Sequence, residues 1–216
     1  MAAFAVDANA AVTPLYEDEA LLALDKPAGL LAVPGRGPDK QDCLYHRVLQ
    51  RWPDARVVHR LDMATSGLML FARGPEVQRR LGQALAQRRI AKHYVAIAAG
   101  RMPAPQGRIE LALRADWPRR PRQQVDPLHG KPSLTDWQLL AFDEAAQTSR
   151  LALQPHTGRT HQLRVHLAAI GHAIVGDALY APPPHDAPRL MLHACALWLS
   201  HPLHGTALQL HCAAPF

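Results

Sequence analysis

The chain has 216 residues, of which 48% are hydrophobic and 19% are charged. This length and composition are typical of a globular protein with a sizeable core, and they exclude a wholly disordered chain. The sequence contains no apolar run of about 18 residues, so no membrane-spanning helix is predicted. Lys and Arg number 24 against 18 Asp and Glu, which gives a net charge of +6. Such a balance favours a polyanionic partner, most simply nucleic acid.

Short apolar runs alternate with turn residues along the chain, and helical periodicity occurs in three places. After a frayed arm over residues 1–13, strands are predicted over 15–17, 20–24, 68–72, 90–99, 108–113, 134–142, 149–153, 189–199 and 207–211. Helices are predicted over 42–52, from Pro75 onward and over 160–170. Many hairpin signals and few helices predict a single α+β domain over residues 14–216, with a mainly antiparallel sheet.

The second and third helices are predicted from their terminal residues and apolar faces. Pro75 suits the first position of a helix, because its missing N–H is not needed there. The buried stripe of this helix is Val77, Leu81 and Leu85. For the third helix, Thr160 is predicted as the N-cap and Gly171 as the stop, with Arg164 away from the core face. That core face is Leu163, Leu167 and Ile170.

A polar interval between two apolar runs lies at residues 59–66. A β-branched pair precedes it, and the buried strand over 68–72 follows it. A carboxylate at Asp62 would be shielded between core segments, which is costly unless the carboxylate is paired. Two interpretations stay open from the residues alone. Asp62 caps a turn, or it is an acid nucleophile or base that acts on an anionic polymer.

Residues 116–124 form a basic loop with one aromatic side chain. Its prolines exclude a helix. Arginine binds phosphates and tryptophan stacks on bases, so this composition suits an RNA contact. The candidate RNA-binding residues of the loop are Trp117, Arg119, Arg120 and Arg122. The alternative is an ordinary solvent-exposed loop.

Several other chemistries find no support in the sequence. The 13 histidines include no HExxH pattern, and no metal site is predicted. GxSxG, GxGxxG and Walker patterns do not occur, so neither a serine hydrolase nor a nucleotide cofactor is predicted. Cys43, Cys195 and Cys212 are too few and too far apart for a disulfide framework, and they fit a reducing cytoplasm.

Four segments together resemble the RluA family of pseudouridine synthases. They are HRLDMATSG at 59–67, GRTHQLRVH at 158–166 with GH at 171–172 and GD at 176–177, KHYVA at 92–96 and DKPAGL at 25–30. Three of these motifs occur in the family's order, and together the segments span nearly the whole chain, so the resemblance is far more specific than one short motif. About 14 residues precede the first predicted strand, which matches family members without an extra N-terminal RNA-binding domain.

The resemblance implies that the chain isomerises uridine to pseudouridine in RNA. For this branch the implied substrates are a hairpin loop of large-subunit ribosomal RNA and an anticodon stem-loop of tRNA. The implied fold is α+β, with a bifurcated, mainly antiparallel sheet flanked by helices and loops. The reaction is redox-neutral and involves no hydrolysis, so no cofactor and no metal are implied. RNA is the expected partner, and a cytoplasmic monomer without a membrane or an obligatory protein partner is expected.

The resemblance also implies roles for individual residues. Asp62 is the catalytic aspartate, which attacks C1′ as a nucleophile or removes a sugar proton to give a glycal. Arg164 is its ion-pair partner and favours the ionised carboxylate. Tyr94 stacks on the flipped uracil and takes the C5 proton, directly or through water. Arg60 fills the gap that the flipped base leaves. Further RNA contacts are expected at Arg159 and His161, and His59 is expected either to pack in the fold or to contact a phosphate of the RNA.

Three alternative functions remain for comparison. A catalytically silent RNA-binding homologue would not need Asp62, Tyr94 and Arg164, all of which are present. An RNA hydrolase would need a second acid or a metal set, and the sequence shows neither. A synthase restricted to tRNA alone or to rRNA alone is the third alternative.

Overall fold

The computed structural model describes residues 12–183 and 187–216. The predicted arm over residues 1–13 lies outside the described residues except for its last two. In chain order the strands are β1 (Pro14–Glu17), β2 (Leu21–Lys26), β3 (Ala55–Val57), β4 (Ser66–Arg73), β5 (Ala91–Ala99), β6 (Gln106–Glu110), β7 (Leu113–Ala115), β8 (Gln123–Val125), β9 (Leu134–Asp143), β10 (Thr148–Pro155), β11 (Leu192–Ser200) and β12 (Ala207–His211). The helices are α1 (Leu44–Arg51), α2 (Pro75–Ala86) and α3 (Gln162–Ala169).

These elements confirm the predicted α+β class with a mainly antiparallel sheet. The chain divides into two compact units, the first reaching Ala91 and resuming over His193–Pro215, the second comprising Lys92–Leu192 with Phe216. The single catalytic domain over residues 14–216 stays a prediction. Within the described residues, no helix combines the length and apolar character that a membrane crossing requires.

The first unit is built around β4, which is buried along almost its whole length. β2 and β3 pair with it antiparallel, and β11 pairs with its first two residues in parallel. α2 starts at Pro75, as predicted. One face of the strands in this unit and the stripe of α2 are both apolar. Their side chains therefore pack against one another in a single hydrophobic cluster. The cluster is Ala20, Leu21, Ala23, Leu68, Leu70, Ala72, Val77, Leu81, Ile90, Leu197, Leu199, Leu210 and Cys212.

The second unit is built on four antiparallel strands in the order β5-β10-β9-β6. Tyr94, Leu153, Trp137 and Gly107 are register partners across these strands and therefore share one face. A Cβ at position 107 would lie 2.6 Å from the Trp137 ring, so only glycine leaves room for the indole. β7 and β8 form a separate two-stranded sheet.

Two local predictions are wrong. The N-cap of α3 is His161 rather than Thr160, with a left-handed φ of 54° and no side-chain cap bond. The loop over 116–124 contains a single 3-10 turn at Trp117–Arg119. Pro118 is compatible with this turn because the first residues of a helix do not use their N–H groups inside it.

Candidate active site

Asp62 lies on the loop over residues 58–65, which connects β3 to β4. Leu61 is buried and anchors this loop, whereas Arg60 and Met63 are exposed and Asp62 is half-buried. The turn is closed by a main-chain hydrogen bond in which Thr65 N donates to Asp62 O at 3.1 Å. The loop therefore presents a carboxylate at the surface of a well-packed segment, next to an exposed arginine.

A fully buried lysine holds this loop in place. Lys26 Nζ donates to the carbonyl oxygens of Pro27 and Leu30, each at 2.8 Å, and of Met63 at 3.1 Å. Gly29 N donates to the same Met63 carbonyl at 2.8 Å. An ammonium group buried among carbonyl dipoles compensates part of its lost hydration by these bonds. The residue after Asp62 is thereby tied to the segment that follows β2.

The two ends of the loop are also fixed by buried contacts. His59 Nε2 accepts a hydrogen bond from Leu70 N at 2.9 Å, which gives the ring a structural contact. Ser66 Oγ lies 2.8 Å from Nδ1 of the buried His193. Gly67 has a φ of 109°, and a Cβ there would lie 2.3 Å from Ala194 O, so no other residue fits. The RNA contact expected of His59 stays a prediction.

In the second unit, Arg164 is paired with Asp177. Arg164 Nε donates to Asp177 Oδ2 and Nη2 donates to Oδ1, both at 2.7 Å. The two side chains are only 6% and 0% exposed, so this is a buried bidentate ion pair. Asp177 also accepts hydrogen bonds from Leu179 N and Tyr180 N. Sequence reasoning placed Asp177 in a motif but gave it no role.

α3, which carries Arg164, is buried nearly all round rather than along the predicted stripe. Ile170 is 38% exposed, whereas His166 is fully buried. Its ring lies 3.0 Å from Thr135 Oγ1 and 2.8 Å from Ser133 Oγ. Gln162 Nε2 donates to Thr135 Oγ1 at 3.0 Å. Polar contacts with β9 therefore orient the helix, and no apolar stripe could reveal them.

His166 is expected to make folding stability depend on pH. Burial lowers its pKa to about 4, whereas an unfolded histidine titrates near pH 6.5. The unfolded chain therefore binds a proton that the folded chain refuses, and the free energy of unfolding falls as the pH drops from about 6.5 toward 4. At pH 5 the loss is about 2 kcal/mol.

Urea unfolding at pH 7.5 and pH 5 measures this loss as the change in unfolding free energy. His166→Gln stays neutral and should lose less stability between the two pH values than the parent. His129→Gln is the control, because His129 is exposed. Equal pH dependence of the parent and the His166 variant would contradict the expectation.

Tyr180 joins several residues of the predicted RNA-binding set. Its hydroxyl lies 2.7 Å from His161 Nδ1 and accepts a hydrogen bond from Gln123 N at 2.7 Å. Arg122 and Arg164 lie over its ring, with Cζ 5.3 Å and 5.2 Å from the centroid. Tyr180 therefore connects the basic loop to α3, a contact between distant positions that sequence reasoning missed.

The basic loop exposes an aromatic ring with a cation stacked on it. Trp117 is 60% exposed, and Arg120 Cζ lies 3.3 Å from the centroid of its ring. Arg119 Nε lies 2.7 Å from Oδ2 of the buried Asp116, which offsets its charge. Arg159 is exposed, and its Nε donates to Pro132 O. The RNA contacts expected of these residues stay a prediction.

Tyr94 lies on β5 and is half-buried. It shares its strand face with Lys92, since alternate residues of a strand point the same way. Asp62 belongs to the first unit, and Tyr94 and Arg164 belong to the second. The pairing of Asp62 with Arg164 stays a prediction.

Among the residues of the first unit that the structure describes, two groups could hold a metal ion. They are Glu19, His201 and His204, and Asp25, His193 and Cys212. In the first group His204 Nε2 contacts Glu19 at 2.6 Å and His201 Nε2 contacts Asp18 at 2.9 Å. In the second, His193 contacts Ser66 and the Cys212 carbonyl. Hydrogen bonds thus account for these histidines, and the absence of a metal stays a prediction.

Comparison with known proteins identifies the protein family to which the chain belongs. Residues 20–169 match the family model described as RNA pseudouridylate synthase, and the chain belongs to this family. The dual-specificity RNA pseudouridine synthase RluA of Yersinia pestis is 43% identical over 204 residues, which cover 94% of this chain and 98% of that protein. RluA of Escherichia coli K12 is 42% identical and covers 94% and 93%.

Solved structures agree with this assignment. Human RNA pseudouridylate synthase domain containing 1 superposes with a TM-score of 0.79 and 28% identity over 95% of this chain and 84% of that one. Human RNA pseudouridylate synthase domain containing 4 gives a TM-score of 0.77 over 94% of this chain and 88% of that one; at 23% identity it supports the fold alone. The chain is therefore an RNA pseudouridine synthase, an isomerase, which confirms the predicted family and reaction.

Proposed function

We propose that this synthase modifies uridines in two classes of RNA, a hairpin loop of large-subunit ribosomal RNA and the anticodon stem-loop of tRNA. The observation that carries the proposal is the likeness to dual-specificity RluA proteins, at 43% identity over 94% of this chain and 98% of the relative. The net charge of +6 supports a polyanionic substrate. We also propose that the protein acts as a monomer in the cytoplasm. Its three cysteines are free thiols.

The reaction exchanges one bond of the ribose for another. The C1′–N1 bond breaks, the uracil rotates, and C1′ joins C5; the C5 proton leaves and N1 ends protonated. A base inside a stacked helix is inaccessible, so the uridine must first leave the stack. Nothing is oxidised and no water is consumed, so side chains that move protons and hold charge suffice.

We assign the central chemical role to Asp62. Its carboxylate attacks C1′ to give a covalent sugar ester, or it removes a sugar proton to give a glycal. Both routes need a carboxylate at a fixed position, and the contacts of Lys26 and Gly29 with Met63 supply that position. The exposed Arg60 fills the space that the flipped base vacates.

The second unit supplies the remaining proposed roles. Tyr94 stacks on the uracil and accepts the C5 proton, directly or through water. Arg164 contributes positive charge, and its bidentate bond with Asp177 prevents rotation of the guanidinium group. Trp117 and Arg120, already stacked on one another, offer a face for a base and a charge for a phosphate.

The substrate proposal is tested by giving the purified protein each RNA class separately. Carbodiimide treatment followed by primer extension marks each pseudouridine as a stop. Modification of both the rRNA hairpin and the tRNA stem-loop is the expected result. A product in one RNA alone would replace dual specificity by single specificity, and no product in either would overturn the proposed function.

The basic loop is expected to contribute phosphate contacts. Arg119→Ala together with Arg122→Ala should weaken RNA binding and flatten its salt dependence, because each lost contact to a single strand lowers the slope of log K against log salt by about 0.7. Fluorescence anisotropy at several salt concentrations measures both effects. Because Asp116 offsets the charge of Arg119, we expect the slope to decrease by an amount closer to that of one lost contact than to that of two. An unchanged slope would show that the loop does not bind RNA.

A further inference from the structure

Lys92 is a partly buried cation that the proposed chemistry does not use. Its Nζ lies 3.5 Å from Thr157 O, a marginal hydrogen bond. Within residues 12–183 and 187–216, no carboxylate lies within ion-pair distance of this ammonium group. Arginines of the same unit differ, since Arg108 and Arg114 each have an aspartate partner.

An ammonium group in this position favours an anion. Burial lowers the pKa of Lys92, because the charged form loses hydration there. A cation that is partly desolvated and lacks a protein counter-ion gains more from an incoming anion than a fully hydrated surface lysine does. Geometry and charge therefore point to a ligand rather than to a structural contact.

Gly158 keeps the approach to this ammonium group open. The residue is exposed, and its backbone lies outside the positive-φ region that favours glycine. A Cβ at this position would lie 3.4 Å from Lys92 Nζ, and larger side chains would extend beside it. The backbone therefore does not require glycine here, and a larger side chain at this position would lie against the Lys92 ammonium group.

We propose that Lys92 and the turn at residues 157–159 form a subsite for a backbone phosphate next to the flipped uridine. Lys92 lies two residues before Tyr94 on the same strand face, a spacing of about 7 Å, which one nucleotide can span. A phosphodiester supplies the anion that Lys92 lacks. This inference rests on the proposed function, since it takes the substrate RNA as the ligand.

The test measures RNA binding in an Asp62→Asn background, so that no turnover occurs. Lys92→Met keeps most of the length of the unbranched side chain and removes its charge. It should weaken binding of the tRNA stem-loop roughly tenfold, as expected for a charged hydrogen bond, and lower the salt slope by about 0.7. Lys92→Arg should retain most of the affinity and the slope. Lys131→Met, at an exposed lysine of the same unit, is the matched control.

Gly158→Val tests the subsite without changing Lys92. Its side chain should cover the ammonium group and weaken binding to a similar extent, while thermal stability stays close to that of the parent. If both changes remove one contact, the double variant should bind no more weakly than either single variant. Additive losses, or a Lys92→Met slope equal to that of Lys131→Met, would overturn the subsite.

The outcomes separate this inference from the function on which it rests. A parent protein that forms pseudouridine while Lys92→Met binds RNA with an unchanged salt slope refutes the subsite alone. A parent that modifies neither RNA class refutes the proposed function, whatever the slopes show.

Discussion

Replacement of Asp62 by Asn is expected to abolish pseudouridine formation and largely preserve RNA binding. The amide has nearly the shape of the carboxylate, but it can neither attack C1′ nor remove a sugar proton. A loss of about 10³-fold or more in the single-turnover rate is expected for removal of the central catalytic group. The loop should keep its conformation, because Leu61 and the Lys26–Met63 contact hold it independently of the carboxylate.

Carbodiimide-based primer extension on the rRNA hairpin and the tRNA stem-loop measures the product, and anisotropy measures binding. Asp39→Asn is the control, because Asp39 is an exposed residue of a short 3-10 helix in the same unit. The control should retain the parent rate. Full activity of the Asp62 variant would contradict its assignment as the catalytic residue, and loss of binding would show that the substitution acts through RNA affinity.

Replacement of Asp177 by Asn is expected to destabilise the protein and to impair catalysis. The asparagine removes the negative charge that Asp177 places against the buried Arg164 guanidinium, and breaking a buried pair costs about 3–5 kcal/mol. Asparagine keeps one acceptor oxygen, so Arg164 would lose one of its two hydrogen bonds at 2.7 Å, the negative charge that strengthens both, and its bidentate orientation. Residual folded protein should bind RNA but turn it over slowly.

Urea unfolding gives the change in stability, and single-turnover rates at saturating RNA give the change in catalysis. Glu144→Gln removes the partner of Arg101 in an exposed pair of the same unit and should cost less than about 1 kcal/mol. Arg164→Lys keeps the charge but loses the bidentate geometry, so it should fold better than it catalyses. Equal stability of the Asp177 and Glu144 variants would contradict the role given to the buried pair.

Much of the secondary structure follows from local pattern. The apolar run of β4, the hairpin of β9 and β10, and the start of α2 at Pro75 all agree with prediction, because hydrophobic period and turn residues are local properties. α3 is the exception. Its burial is imposed by Gln162 and His166, which bond to β9, and its N-cap is set by a left-handed His161.

The residues of the candidate site also fall into two groups: those that sequence motifs reveal and those that only the fold reveals. Asp62, Tyr94 and Arg164 could be selected from motifs, because a motif records which residue types occur at which spacing. Their supporting residues could not be selected. Lys26 lies 37 positions from Met63, and Ser66 lies 127 positions from His193. A hydrogen bond across such a separation leaves no periodic trace in the chain.

The sequence by itself determined the family, the reaction and the residue types available for chemistry, since these depend on local motifs and on net charge. Only the tertiary structure decided which groups are buried and which partners they have. The structure shows that Asp177 pairs with Arg164 and that Lys26 supports the loop that carries Asp62. It also shows that Lys92 has no carboxylate partner among the described residues. The physical reason is that desolvation and pairing are set by neighbours in space, and folding brings those neighbours from distant positions.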